Sequence, residues 1–370
     1  MKIAVIGPTY PYRGGISHYN TLLCENLAKK HDVTAISFTR LYPKILFPGR
    51  DQKDLESKEK IGFNFTEMID SINPLTWLKT YNYIKENNFD LLILYWWTPY
   101  FTFVFSKICK LVKKNTKTKI LFICHNVLPH DKSILDRFFT KKVLRYGNFF
   151  IVHSTQDKNN LLQILPNANV KTGVHPTYEI FKVKEVKKDI NYLKLRKKVI
   201  LFFGFVREYK GLMYLIKAMP QILKEVDLDL LIVGEFWKDK QKYIDEIERL
   251  RIKDNVKIVD SYVPNEEVGN YFESADIVVL PYLTATNSGI VQTAFGFNKP
   301  VIVTNVGGLP EVVNNNKTGL VVPSQDGNAL ANSVIFYYRN HKKQEFINNI
   351  KKEKARFSWG NMVKLIEGFK

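Results

Sequence analysis

Two basic residues three apart, Arg207 and Lys210, stand in Gly204-Phe-Val-Arg-Glu-Tyr-Lys-Gly211, at the end of the apolar run VILFF. A planar guanidinium fork beside a point-charge ammonium suits a diphosphate; the other reading is two solvated loop charges. Their place at the carboxyl end of a strand favours the diphosphate. A second candidate is Pro281 to Pro300, which holds no acidic residue. Here Asn287, Ser288 and Gly289 would open a helix whose first amides, at Gly289 and Ile290, are free to point at phosphate. A plain serine N-cap accounts for Ser288 equally well.

A third candidate follows the first strand, Gly7-Pro-Thr-Tyr-Pro-Tyr-Arg-Gly-Gly-Ile-Ser-His18. Gly14 and Gly15 before a helix let backbone amides approach an anion; a turn that needs positive φ is the competing reading. It is not the dinucleotide fingerprint, which removes the main support for a nicotinamide cofactor. His125-Asn126 after KILFIC and His153-Ser154 after FFIV put polar groups at one edge of one sheet, and one of the two histidines is expected to be structural. Asp227-Leu-Asp229 has the look of a metal pair, but it precedes its strand and so lies at the wrong edge; it is discounted, and a divalent metal with it. In Gly307-Gly308-Leu-Pro-Glu311, Glu311 reads as a helix-start device.

These loops need strands to carry them. KIAVIG, DVTAISF, DLLILYW, KILFICH and FFIVHS alternate with helical stretches near residues 16–30, 75–86, 100–113 and 133–146. Short continuous apolar strands between helices predict a parallel sheet covered on both faces. After a lysine-rich interval near 182–197 a second series runs through VILFFGFV, LDLLIVGEF, VKIVDSYV, DIVVLPY, PVIVTNV and GLVVP. The expected fold class is α/β, two Rossmann-like doubly wound domains facing across a cleft. Their bounds are 1–182 and 183–356. A closing helix at 357–370 packs on its own domain or crosses back to the first.

The chain has 370 residues, more than one ordinary core holds, and 45% are hydrophobic. No apolar run approaches the ~20 residues of a membrane span, and MKIAVIGP opens on a strand with no leader pattern. Cytoplasmic placement is therefore expected. Cys24, Cys109 and Cys124 form no close-spaced set, so neither a disulfide nor zinc is expected.

The net charge of +19 is concentrated in Lys107 to Lys119, Lys182 to Lys198 and Lys342 to Arg356. It favours anionic partners or reflects a lysine-rich composition on solvated helix faces. No nucleic-acid module accompanies it. The Lys107 run together with Trp96-Trp97-Thr-Pro-Tyr-Phe raises attachment to an anionic membrane surface, at the inner face of the cell membrane; packing in the core or along a ligand cleft is the other reading of those aromatics.

The order GGISHYN, HN, GFVREYKG, SYVPNEEV, ADIVVLPY, SGIVQTAFGFNKPVI, VGGLPEVV and TGLVVP resembles the family 4 retaining glycosyltransferases of the GT-B fold, over nearly the whole chain. The resemblance implies a nucleotide-diphosphate sugar held mainly by the C-terminal domain and an acceptor held mainly by the N-terminal one. By it, Arg207 and Lys210 match the basic pair on the diphosphate, Gly15 the loop glycine facing it, and His125 the histidine near the donor sugar. Tyr262, Val263 and Pro264 match the strand end whose backbone meets the nucleobase. His18, Asn126 and His153 remain as acceptor-side candidates.

Most of that family carries two glutamates eight positions apart where this chain has Ala285 and Thr293. A bacterial subgroup has a similar Ala-Thr-polar-Ser-Gly variant, which argues for altered sugar contacts, sought first at Asn287, Ser288 and Thr293. The expected activity is metal-independent hexosyl transfer to a glycan or lipid-linked acceptor in cell-surface polysaccharide assembly, with no cofactor beyond the donor substrate. A non-catalytic sugar-nucleotide-binding protein and a GT-B hydrolase or epimerase stay open.

Overall fold

The computed structural model describes residues 1–46, 51–54, 61–128, 134–178, 181, 190–196 and 198–369. The chain divides into two compact units, Met1–Val174 with Trp359–Lys370, and His175–Ser358. The division comes at 174/175; the boundary expected at 182/183 lies outside the described residues, as does most of the lysine-rich interval.

The first unit runs β1 (Lys2–Ile6), α1 (Gly15–Ala28), β2 (Asp32–Arg40), β3 (Asn64–Asp70), α2 (Pro74–Asn87), β4 (Leu91–Trp96), α3 (Thr102–Asn115), β5 (Lys119–Cys124), α4 (Ile134–Leu144), β6 (Phe149–Val152), α5 (Thr155–Ile164) and β7 (Val170–Thr172). The strands form one parallel sheet in the order β3-β2-β1-β4-β5-β6-β7. Its inner strands are the continuous apolar runs, buried on both faces. The sequence pattern missed β3 and β7, and the reason is physical. An outermost strand buries little, so NFTEMID and VKT carry no apolar run to find. The closing helix, Trp359–Glu367, belongs to this unit: the Trp359 ring lies 5.1 Å from that of Tyr19 in α1.

The second unit runs β8 (Val199–Phe203), α6 (Leu212–Leu223), β9 (Asp229–Val233), α7 (Lys240–Arg249), β10 (Val256–Val259), α8 (Asn265–Ser274), β11 (Ile277–Leu280), α9 (Gly289–Gly296), β12 (Val301–Thr304), α10 (Leu309–Val312), β13 (Gly319–Val322), α11 (Gly327–Arg339) and α12 (Lys343–Glu353). Its sheet is also parallel, ordered β10-β9-β8-β11-β12-β13. Each fully buried strand residue such as Ile200, Phe202 or Ile232 contributes roughly 1.5–3 kcal/mol.

Cys24, Cys109 and Cys124 are buried and free. Asp229 is buried at the start of β9, where it accepts from Arg196 N at 2.8 Å and Arg196 Nε at 3.2 Å; the same guanidinium pairs with Asp227. The Asp-x-Asp pair is thus part of a structural arginine clamp.

Candidate functional site

In each sheet the strand order reverses once, and ligands of open α/β sheets bind beyond the carboxyl ends of the strands at that reversal. In the second unit it lies between β8 and β11. The loop after β8 carries Arg207 and Lys210; the loop after β11 carries Thr284 to Ser288. Both lysine-arginine and acid-free candidates therefore leave neighbouring strands.

A short 3-10 turn, Glu208–Lys210, closes on Lys210 N→Arg207 O at 3.0 Å. That spacing stacks residues i and i+3 on one side. The Arg207 guanidinium lies over the Trp237 indole, 3.0 Å from the ring centroid, and the Lys210 amine 5.7 Å from the Tyr282 ring centroid. Lys210 is buried, and burial, followed by the charge of Arg207, lowers its pKa to about 7. Gly204 has φ +98, and a Cβ there would stand 3.0 Å from Lys210 Nζ. Only glycine turns the chain there and leaves the amine in place. Leu283 N→Tyr209 O at 2.7 Å ties the two loops together.

On the β11 side, Ile290 in the first turn of α9 packs against Gly204. The first-turn amides, Gly289 and Ile290 among them, have no acceptor within the helix and carry the positive end of its dipole. Ser288 is the N-cap residue by backbone angle but makes no side-chain cap bond; its Oγ lies 3.5 Å from Tyr282 OH. The Asn287 Nδ2 is buried with no hydrogen-bond partner among the described residues. Thr293 is buried and donates its hydroxyl to Gly289 O at 2.9 Å, inside its own helix. Its proton is therefore spent on the backbone, which sets it apart from Asn287 and Ser288.

Val263 is buried and Tyr262 half-buried between β10 and α8. Since β8, β9 and β10 are consecutive neighbours, Arg207, Trp237 and Tyr262 follow three adjacent strands along one sheet edge. Trp237 and Tyr282 escaped the sequence reading. The signal existed, an aromatic just past an apolar run, but it also describes ordinary core. Glu311 sits exposed in the first turn of α10, with its carbonyl accepting from Arg356 at 2.9 Å.

In the first unit, Gly15 opens α1 and a Cβ on it would meet nothing within 4 Å. His18, half-buried, follows one turn on, with its amide on Gly14 O at 3.2 Å. His125 at the end of β5 is stacked on Tyr95 (5.6 Å) and meets the Tyr19 ring edge-on (4.6 Å). His153 lies 5.2 Å from it, ring to ring. His153 Nδ1 donates to Gly173 O at 2.8 Å, and burial lowers its pKa to about 4, opposed by that bond. It is a neutral histidine anchored to backbone. Asn126 donates Nδ2 to Trp97 O at 3.5 Å.

Trp96 and Phe101 are fully buried, Trp97 donates its indole N–H to Tyr42 OH at 3.1 Å, and Tyr100 OH lies 3.0 Å from Ser71 Oγ. Trp96 and Phe101 of this cluster are core packing, and Trp97 and Tyr100 are half-buried. Among the described residues no helix is long and apolar enough to cross a membrane, and no three His, Cys, Asp or Glu side chains are grouped to hold a metal ion.

Residues 183–354 match the family model for Glycosyl transferases group 1. An uncharacterized glycosyltransferase of Methanocaldococcus jannaschii is 25% identical over 98% of this chain and 96% of its own length. A D-inositol 3-phosphate glycosyltransferase of Corynebacterium diphtheriae is 25% identical over 53% of this chain and 49% of its own. Among solved structures, sucrose-phosphate synthase from Thermosynechococcus elongatus superposes with a TM-score of 0.76 at 20% identity, covering 99% of this chain and 97% of the other. Anabaena HepE in complex with UDP gives 0.74 at 17% identity, covering 99% and 98%. The two parallel-sheet α/β domains are the GT-B fold, as the sequence led us to expect. The family match and the relatives together support a glycosyltransferase.

Proposed function

We propose that this protein is a retaining glycosyltransferase that moves a sugar from a nucleotide-diphosphate sugar to a glycan or lipid-linked acceptor in cell-surface polysaccharide assembly. The observation that carries the reading is the Arg207–Lys210 turn beside the start of α9 at the strand reversal of the second sheet. As the anomeric C–O bond breaks, negative charge grows on the departing diphosphate. The guanidinium, the ammonium and the helix-start amides stabilise it there, as fixed electrostatics commonly does in catalysis. These cations do the work a divalent ion would do, so the reaction is proposed to run without a metal. The acceptor oxygen bonds to the anomeric carbon on the face the diphosphate leaves, and the acceptor proton passes to the leaving phosphate oxygen.

Tyr262 and Val263 are proposed to line the base, Asn287 and Ser288 the sugar and ribose, and Gly15 and His125 the donor from the first unit. The UDP and UDP-glucose held by Anabaena HepE make a uridine diphosphate sugar the first donor to try. The enzyme is proposed to work in the cytoplasm, at the inner face of the membrane.

A panel of UDP-, GDP-, ADP- and dTDP-sugars tests the reading. Transfer or donor hydrolysis should appear with at least one donor and fall by roughly a hundredfold or more in Arg207→Ala. No turnover with any donor, and Arg207→Ala indistinguishable from wild type, would sink it. The alanine at 285 favours a second reading, a nucleotide-sugar binder without transfer. Donor binding that Arg207→Ala abolishes, with no turnover on any acceptor, would select it.

A further inference from the structure

Large apolar side chains on a monomer's surface are usually scattered singly. On the first unit they gather. Leu75 (74% exposed), Phe103 (58%), Leu135 (65%) and Phe138 (61%) stand in the first two turns of α2, α3 and α4, and Ile72 and Leu78, three residues either side of Leu75, are exposed as well. The connections β3–α2–β4, β4–α3–β5 and β5–α4–β6 all step the same way across the sheet, so right-handed crossovers put the three helices on one face. There α2 packs on α3 and α3 on α4. Helix starts lie at the carboxyl edge of the strands, so these side chains share one end of that face. The Phe103 ring is 6.2 Å from Phe139, and Phe139 is 5.7 Å from Phe138.

Positive charge surrounds them. The helix α3 carries four lysines and no acidic residue. Lys107 and Lys110 are exposed one and two turns past Phe103, Arg137 and Lys141 are exposed on α4, where Asp136 is the one acid in the first turn, and Lys142 Nζ lies 5.1 Å from the Phe103 ring centroid. Apolar tips with a basic surround match the acyl boundary and headgroups of an anionic bilayer. A second copy of the chain would bring a net charge of +19 against itself.

We propose that the first two turns of α2, α3 and α4 form a docking face for an anionic lipid surface. Leu75, Phe103, Leu135 and Phe138 enter the acyl boundary while the α3 and α4 cations bind headgroup phosphates. The face adjoins the sheet edge that carries Gly15 and His125, so a lipid-linked acceptor would be presented beside them. The docking itself rests on this surface and not on the transfer reaction.

Sedimentation of the full chain with vesicles tests it, using phosphatidylcholine alone and an equal mixture with phosphatidylglycerol. Wild type should sediment with the mixed vesicles, less with the neutral ones, and be released at about 0.5 M salt, where screening is nearly complete. The triple variant Phe103→Ser, Leu135→Ser, Phe138→Ser and the pair Lys107→Glu, Lys110→Glu should each lose roughly tenfold or more in vesicle partitioning. Their thermal unfolding should be unchanged, because every altered side chain is exposed. Wild type left in the supernatant, or both variants binding as wild type does, overturns the proposal. So does a wild-type dimer in ultracentrifugation that the triple substitution splits, without vesicle binding.

Discussion

A Cβ on Gly307 would stand 1.7 Å from the carbonyl oxygen of Ala285. Gly307 has φ +53, and Gly308 N donates to Thr286 O at 2.9 Å, so the turn after β12 is moulded onto the acid-free loop after β11. What looked in the sequence like a helix-start device at 307–311 is also the wall that holds residues 285–286. Gly307→Ala should therefore cost about 1–3 kcal/mol of stability, measured by denaturant unfolding, and weaken UDP binding several-fold by titration calorimetry. A variant as stable as wild type with unchanged UDP affinity would show that the turn has room to move.

Lys210 carries a sharper expectation, because burial and Arg207 lower its pKa to about 7. In the free protein its charge is present below that pH and lost above it, while an unfolded lysine stays charged to ~10.4. Between these values the unfolded chain holds the extra proton, so this group's cost to stability is full below pH 7 and relieved as pH rises. Binding a diphosphate should restore the proton. UDP affinity should then fall as pH rises from about 7 to 9, by at most ~10-fold per unit, with proton uptake seen in buffers of different ionisation enthalpy. Lys210→Arg should flatten the profile; an equally steep one there would assign the dependence elsewhere.

Asn287 and Thr293 were equal candidates in the sequence and are not equal in the structure. Asn287→Ala removes a buried donor with no partner among the described residues. It should leave thermal stability unchanged or slightly raised while donor KM rises by about tenfold, the worth of one hydrogen bond to a bound ligand. Thr293→Val removes a hydroxyl that serves Gly289 O and should move donor KM by less than about twofold. The reverse ranking would return Thr293 to the donor site.

His153 should report on acid stability. Its folded pKa of about 4 lies below the ~6.5 of an unfolded histidine. The unfolded chain binds the proton first, so stability is lost as pH falls from about 6.5 to 4, by about 3 kcal/mol at the limit. Unfolding midpoints across that range should fall more steeply in wild type than in His153→Gln. Parallel slopes would place the acid-labile group elsewhere.

The second sheet was legible almost strand for strand, because six continuous apolar runs separated by turn residues admit little but a parallel sheet covered on both faces. In the first sheet the inner strands were legible for the same reason, and β3 and β7 were not, since outer strands bury too little to leave a pattern. The α11 and α12 helices were missed as elements, and Lys342 to Arg356 read only as a charge run.

The sequence by itself determined which loops leave which strands, and hence that Arg207, Lys210 and Gly289 stand at carboxyl ends, since chain direction in a parallel sheet fixes that. Only the tertiary structure decided the rest. Strand order made β8 and β11 neighbours, joining two loops some seventy residues apart. Packing anchored His153 on the Gly173 carbonyl, buried Trp96, and left Phe103 and Leu135 outside. Periodicity records how apolar a segment is; which neighbour covers it is a property of the packed chain.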